Sequence, residues 1–99
     1  MRQNVLTKPV AYISDENYVA LAGVHVECES LESGEVLIGN SSATGSLYAD
    51  LPPGRYRVTL LKEGYGPKWV ECDFGTGEPP QLRLLSDGLL GYMWPKWVR

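Results

Sequence analysis

The sequence predicts an all-β fold, a seven-stranded Greek-key β-sandwich, and three observations carry that expectation. Apolar residues recur with a period of two rather than 3.6. No window of eleven or more residues offers a helical face. Glycine and proline, 11 and 7 among 99 residues, fall chiefly between the apolar runs, where they turn the chain.

The elements follow in order. Val10–Ser14 is the first strand, closed by the polar turn Asp15-Glu16-Asn17. The second runs over 19–29, where Val24, Val26 and Cys28 alternate with His25, Glu27 and Glu29; its apolar parity switches between Leu21 and Val24, so a bend or bulge is expected near Gly23. Ser33-Gly34 turns the chain into a third strand over 35–40, and Ser41 to Gly45 leads into a fourth over 46–51, with Leu47, Ala49 and Leu51 on one face. Pro52-Pro53-Gly54 makes a tight reversal, since proline presets φ and glycine is free to take φ > 0. The fifth strand, 55–62, alternates Tyr56, Val58 and Leu60 with Arg55, Arg57 and Thr59. Gly64-Tyr65-Gly66-Pro67 closes it, and the sixth, 68–74, alternates Val70, Cys72 and Phe74 with Trp69, Glu71 and Asp73. A last strand spans 81–85. Short strands with turns this frequent close most readily as a sandwich.

A chain of 99 residues has room for one domain. Area scaling puts about 65% of the unfolded surface inside on folding, enough for a core without metal or disulfide staples. Hydrophobic residues at 43% and charged residues at 21% exclude disorder and collagen-like repeats, and the apolar runs fall far short of the ~20 residues of a membrane span. A net charge of −3 with no basic stripe argues against nucleic acid as a partner. One histidine, His25, and two cysteines, Cys28 and Cys72, are too few and too scattered for a closed zinc site. The amino terminus carries no apolar segment of the kind an export signal needs, so a cytoplasmic location with reduced thiols is expected. Both cysteines share the apolar parity of their strands and read as buried small hydrophobes with no cationic neighbour to activate them.

Catalytic templates fail on inventory. His25 stands on the polar parity of its strand while Cys28 points the other way, which separates the base from the nucleophile a thiol site would pair. Glu27 with Glu29, and Glu71 with Asp73, share one strand face each and read as solvated surfaces rather than an acid/base pair across a cleft. No glycine cluster opens a helix as a phosphate loop would.

The stretch from Val10 to Pro67 resembles the carboxypeptidase regulatory-like domain family. Leu51-Pro52-Pro53-Gly54-Arg55-Tyr56-Arg57-Val58 is similar to the family's Leu-Pro-Pro-Gly-x-Tyr-x-Val motif, and Lys62-Glu63-Gly64-Tyr65 to the Gly-Tyr that ends its next strand. Ala11 to Asn17 resembles its first strand and Asp-rich turn, and Leu21 to Val26 its Gly-containing second strand. Thr44-Gly45-Ser46-Leu47-Tyr48 stands at its Asp-x-x-Gly-x-aromatic turn, but Ser41-Ser42-Ala43 replaces the acidic residue and Leu47 a position that is often aromatic. The resemblance implies a transthyretin-like (prealbumin-like) sandwich serving as an accessory module without catalytic residues or cofactors of its own. Pro52, Pro53, Gly54, Gly64 and Tyr65 are then structural turn positions. Within transthyretin-like folds the hydroxyisourate hydrolase branch uses a His/Arg-lined interface site and ends in Tyr-Arg-Gly-Ser, and neither pattern is found here.

The last fourteen residues differ in kind. After Ser86-Asp87-Gly88, the run from Leu89 to Arg99 concentrates Tyr92, Met93, Trp94 and Trp97, and is faintly similar to the start of N,N-dimethylformamidase large-subunit-like domains. Such a segment either covers a sheet edge of its own domain or leads into a following one. The expected organisation is therefore a sandwich over 1–85 and an aromatic linker, or the start of a further domain, over 86–99. The expected function is docking against a downstream domain or another protein subunit through Tyr92, Met93, Trp94 and Trp97, with a homodimer as a further outcome of the same patch. The alternative is a carbohydrate-binding module that uses Tyr48 and Trp69, both on outward parity, as flat platforms.

Overall fold

A computed structural model describes residues 8–75 and 77–87. Among these residues seven strands form two sheets: β1 (Ala11–Ser14), β2 (His25–Ser30), β3 (Val36–Asn40), β4 (Ser46–Leu47), β5 (Gly54–Leu61), β6 (Lys68–Phe74) and β7 (Gln81–Arg83). One sheet has the order β4-β1-β7, the other β3-β2-β5-β6. All pairings are antiparallel except β1 with β7, which run parallel. Alternation explains the closure. The inward residues Val26, Cys28, Tyr56, Val58, Leu60 and Phe74 of the larger sheet share one core with Ala11, Ile13, Leu47 and Leu82 of the smaller.

Three strands are shorter by more than one residue than the sequence suggests: the last ends at Arg83 rather than at 85, and two others lose more. The expected strand over 19–29 begins only at His25, because the chain bends through Gly23 at φ 71. Before the bend, Leu21 donates its N–H to the Ile13 carbonyl and Ala20 forms a bridge to Ser14, so this stretch lies beside β1 in the other sheet. The buried Ser41 holds the bend: its hydroxyl donates to the Leu21 carbonyl at 2.6 Å and accepts the Val24 N–H at 2.9 Å. The expected strand over 46–51 stops at Leu47, and the last bond to β1 runs from the Val10 N–H to the Leu47 carbonyl. The apolar parity continues through Ala49 and Leu51, but parity reports a face and not a ladder partner.

A serine holds the turn that leads into β4. The Ser42 Oγ accepts the N–H groups of Thr44 and Ser46 at 3.3 and 3.2 Å, a side-chain turn of the kind serine supports.

Candidate functional site

The larger sheet turns one face to the core and one to solvent, and register sets what the solvent face presents. Glu29, Arg57 and Glu71 stand in one row, and Glu27, Thr59 and Trp69 in the next. Arg57 reaches Glu29 at 3.5 Å and Glu71 at 3.8 Å, while Arg55 reaches Asp73 at 3.1 Å and Glu71 at 3.7 Å. The carboxylates that alternation placed on solvated faces are thus tied to arginines across β2, β5 and β6. Every member is about half exposed, so the ladder contributes little stability and fixes surface charge instead. His25 Nε2 lies 3.0 Å from Glu27 Oε2 on this same face, away from the inward Cys28.

Beside the charged rows lie apolar side chains. Trp69 is 66% exposed and Leu61 41%. Val36 and Ile38 continue the outward face onto β3. Trp69 is therefore the outward aromatic the sequence anticipates. Tyr48, also exposed, follows the core residue Leu47 on the smaller sheet, so it faces outward on the opposite side of the sandwich. Tyr48 and Trp69 do not form one platform.

The structural turn positions are separated by the length of β5. Pro52 and Pro53 are exposed, and the Pro52 carbonyl accepts the Tyr56 hydroxyl at 2.6 Å. The loop from Gly64 to Gly66 receives the end of the described chain: Gly66 N–H donates to the Leu85 carbonyl, Asp87 N–H to the Gly64 carbonyl, and Tyr65 bridges to Ser86. Tyr65 is half-buried against the core, which suits a structural role. Glu16 secures the same point, accepting the Ser86 N–H at 3.0 Å and the Ser86 hydroxyl at 3.1 Å. Its own backbone N–H and that of Ser86 hold its carboxyl below the usual range. On the turn that carries Glu16, Tyr18, at φ 65, stands 68% exposed beneath the Arg83 guanidinium, which lies 4.6 Å from its ring centroid. Tyr92, Met93, Trp94 and Trp97 lie outside the described residues.

The chain matches no protein-family model and no curated protein.

The two thiols flank β5 on its inward face, Cys28 opposite Val58 and Cys72 opposite Tyr56. Two strand spacings, roughly 9.6 Å, separate their strands, beyond the ~7 Å limit for a disulfide. Both thiols are free. Burial pushes the Cys28 thiol up from 9.0 to about 11, with the Cys72 sulfur adding to the effect. Burial and the adjacent Asp73 push Cys72 in the same direction. An inert thiol follows, and so does a pH dependence. Because the folded protein holds the Cys28 proton more tightly than the unfolded chain, this contribution is complete below pH 9.0 and declines as pH rises toward about 11. Urea midpoints measured across that window should fall steadily in the wild type and less steeply in Cys28→Val. Equal slopes in both proteins would assign the decline to other groups.

Among the described residues no helix is long and apolar enough to cross a membrane, and no three His, Cys, Asp or Glu side chains are grouped to hold a metal ion.

Sequence patterning missed the apolar exposure of β3. The uninterrupted Val36-Leu37-Ile38 carried the signal, since a strand with one solvated face should alternate.

Proposed function

We propose that this chain is a non-catalytic accessory β-sandwich of the transthyretin-like kind, the amino-terminal part of a longer protein, which docks against a neighbouring domain or subunit. The observation that carries the reading is the anchored exit of the C-terminal segment. Ser86 and Asp87 are hydrogen-bonded to Glu16 and to the loop at Gly64, so the described chain ends at a defined point. Exposed Tyr18 and Val19 follow Glu16 in the chain there, and exposed Leu61 precedes the Gly64 loop. A fixed point of departure limits where a following element can sit, as an accessory domain requires. The two-sheet strand order and the Pro52-Pro53-Gly54 turn locked by Tyr56 support the family resemblance.

Trp94 and Trp97 would bury enough area to contribute several kcal/mol at ~25 cal/mol/Å², less the ordering they require. The test has two parts. An antibody against the sandwich should detect a native species well above 11.0 kDa, and Trp97→Ala should weaken docking in that species while the sandwich melts unchanged. A native species of 11.0 kDa whose sandwich loses stability with Trp97→Ala would place the segment in the core and end the docking reading.

Carbohydrate binding is the second reading, favoured by the 66% exposure of Trp69 beside Thr59, in a row that Glu27 ends. Glycan-array binding abolished by Trp69→Ala would select it over docking.

A further inference from the structure

Among the described residues the two sheets have four edges, and three are protected. β4 has two residues and β7 three, too short to template another strand. β6 carries Lys68, Glu71 and Asp73 along its length. The fourth edge, β3, is five residues of Val-Leu-Ile-Gly-Asn without a charge.

Its exposure has a geometric cause. The smaller sheet meets β3 at Gly39, where an added Cβ would stand 3.4 Å from Leu47 Cδ1, and leaves the rest of the strand largely uncovered. Leu37, on inward parity opposite Cys28, is 42% exposed, while outward Val36 and Ile38 are 50% and 65% exposed. The hydrogen-bond pattern identifies the free backbone groups. The Ser30 N–H bonds the Glu35 carbonyl and the Ser41 N–H bonds the Val24 carbonyl. By antiparallel alternation, Leu37 and Gly39 bond β2, whereas Val36, Ile38 and Asn40 direct their N–H and C=O groups away from the sheet.

We propose that β3 pairs antiparallel with β3 of a second copy, on a two-fold axis through Ile38, joining the two four-stranded sheets into one. This contact goes beyond the docking reading and uses a different surface. The register is the one that employs every free group: Ile38 faces Ile38, and Val36 faces Asn40, giving about six backbone hydrogen bonds. It also places Leu37 opposite Gly39 of the other copy at a non-hydrogen-bonded position, where side chains approach most closely and the glycine leaves room for the leucine. Glu35 falls opposite Ser41, so no like charges meet. Two five-residue strands bury less than the ~1,000 Å² of a stable interface, which makes this a reversible, concentration-dependent dimer.

Sedimentation equilibrium of the full chain over a hundred-fold concentration range, on the order of 10 µM to 1 mM, tests the pairing. The average mass should rise from 11.0 kDa toward twice that value. Ile38→Lys brings two ammonium groups together on the axis and should weaken association at least about ten-fold. Trp97→Ala should leave it unchanged. Hydrogen exchange of the wild type gives a second readout that needs no variant: the Val36, Ile38 and Asn40 amides should gain protection with concentration, while Leu37 and Gly39 are protected throughout. A monomer at every concentration overturns the proposal. So does association that survives Ile38→Lys undiminished but is lost in Trp97→Ala, a result that would move the contact to the C-terminal segment and leave the docking reading standing.

Discussion

Gly45→Ala should destabilise the domain by about 3 kcal/mol or more, lowering the melting temperature by at least about 10 °C for a chain of this size. Two effects add. Gly45 adopts φ 74, where a side chain costs about 1–2 kcal/mol. A Cβ there would also stand 2.5 Å from the Ile13 carbonyl oxygen and 3.0 Å from the Ala20 Cβ. Neither neighbour can yield readily. The Ile13 carbonyl accepts the Leu21 N–H, and the Ile13 N–H bonds the Gly45 carbonyl at 2.7 Å. Relieving the clash would pull the turn from β1 and disturb the stretch that precedes the bend at Gly23. Gly34→Ala separates the two effects, since Gly34 sits at φ 80 with nothing within 4 Å of an added Cβ. It should lose only about 1 kcal/mol. Thermal melts of equal depression for the two variants would show that the contact with Ile13 does not govern the Gly45 site.

The contrast between these glycines marks what the sequence could show. Both read as turn residues, and both are. That Gly45 lies against Ile13 and Gly34 against solvent depends on which strands lie side by side, and periodicity does not report that. The same division runs through the fold. The strands at Gly54 and Lys68 begin within one residue of their expected positions because each alternates and is bounded by turn residues, and the strand at Val36 does so because Ser33-Gly34 turns the chain just before it. The bend near Gly23 was legible as a switch of apolar parity, but that Ser41, distant in sequence, holds it and that the stretch before it lies beside β1 were not. The surface follows suit. Alternation turned Trp69 and the carboxylates of β2 and β6 outward, but their arrangement around Arg55 and Arg57 needed the register of three strands. The exposed edge of β3 was legible only as a break in alternation, since which strand ends a sheet is decided by topology.

Tyr56 offers the sharpest test of the core, because two substitutions divide its contribution. The side chain is 4% exposed, its ring lies 5.4 Å from that of Phe74 at 49°, and its hydroxyl donates to the Pro52 carbonyl. Tyr56→Ala removes ring and hydroxyl together and should cost about 3–5 kcal/mol, a large part of the stability of a domain this small. Tyr56→Phe keeps the ring and should cost only about 1 kcal/mol, the net value of one hydrogen bond. The hydroxyl therefore acts on the turn rather than on the core. Without it, the Pro52-Pro53-Gly54 reversal loses a tether while β5 stays paired with β2 and β6. Amide exchange should then quicken near Gly54 and remain slow at Val58 and Leu60. Because the Gly64 loop that anchors Ser86 and Asp87 lies at the other end of β5, Tyr56→Phe should leave docking through the C-terminal segment intact. Equal losses of stability for Phe and Ala at this position would mean that the hydroxyl, and not ring packing, secures this end of the sandwich.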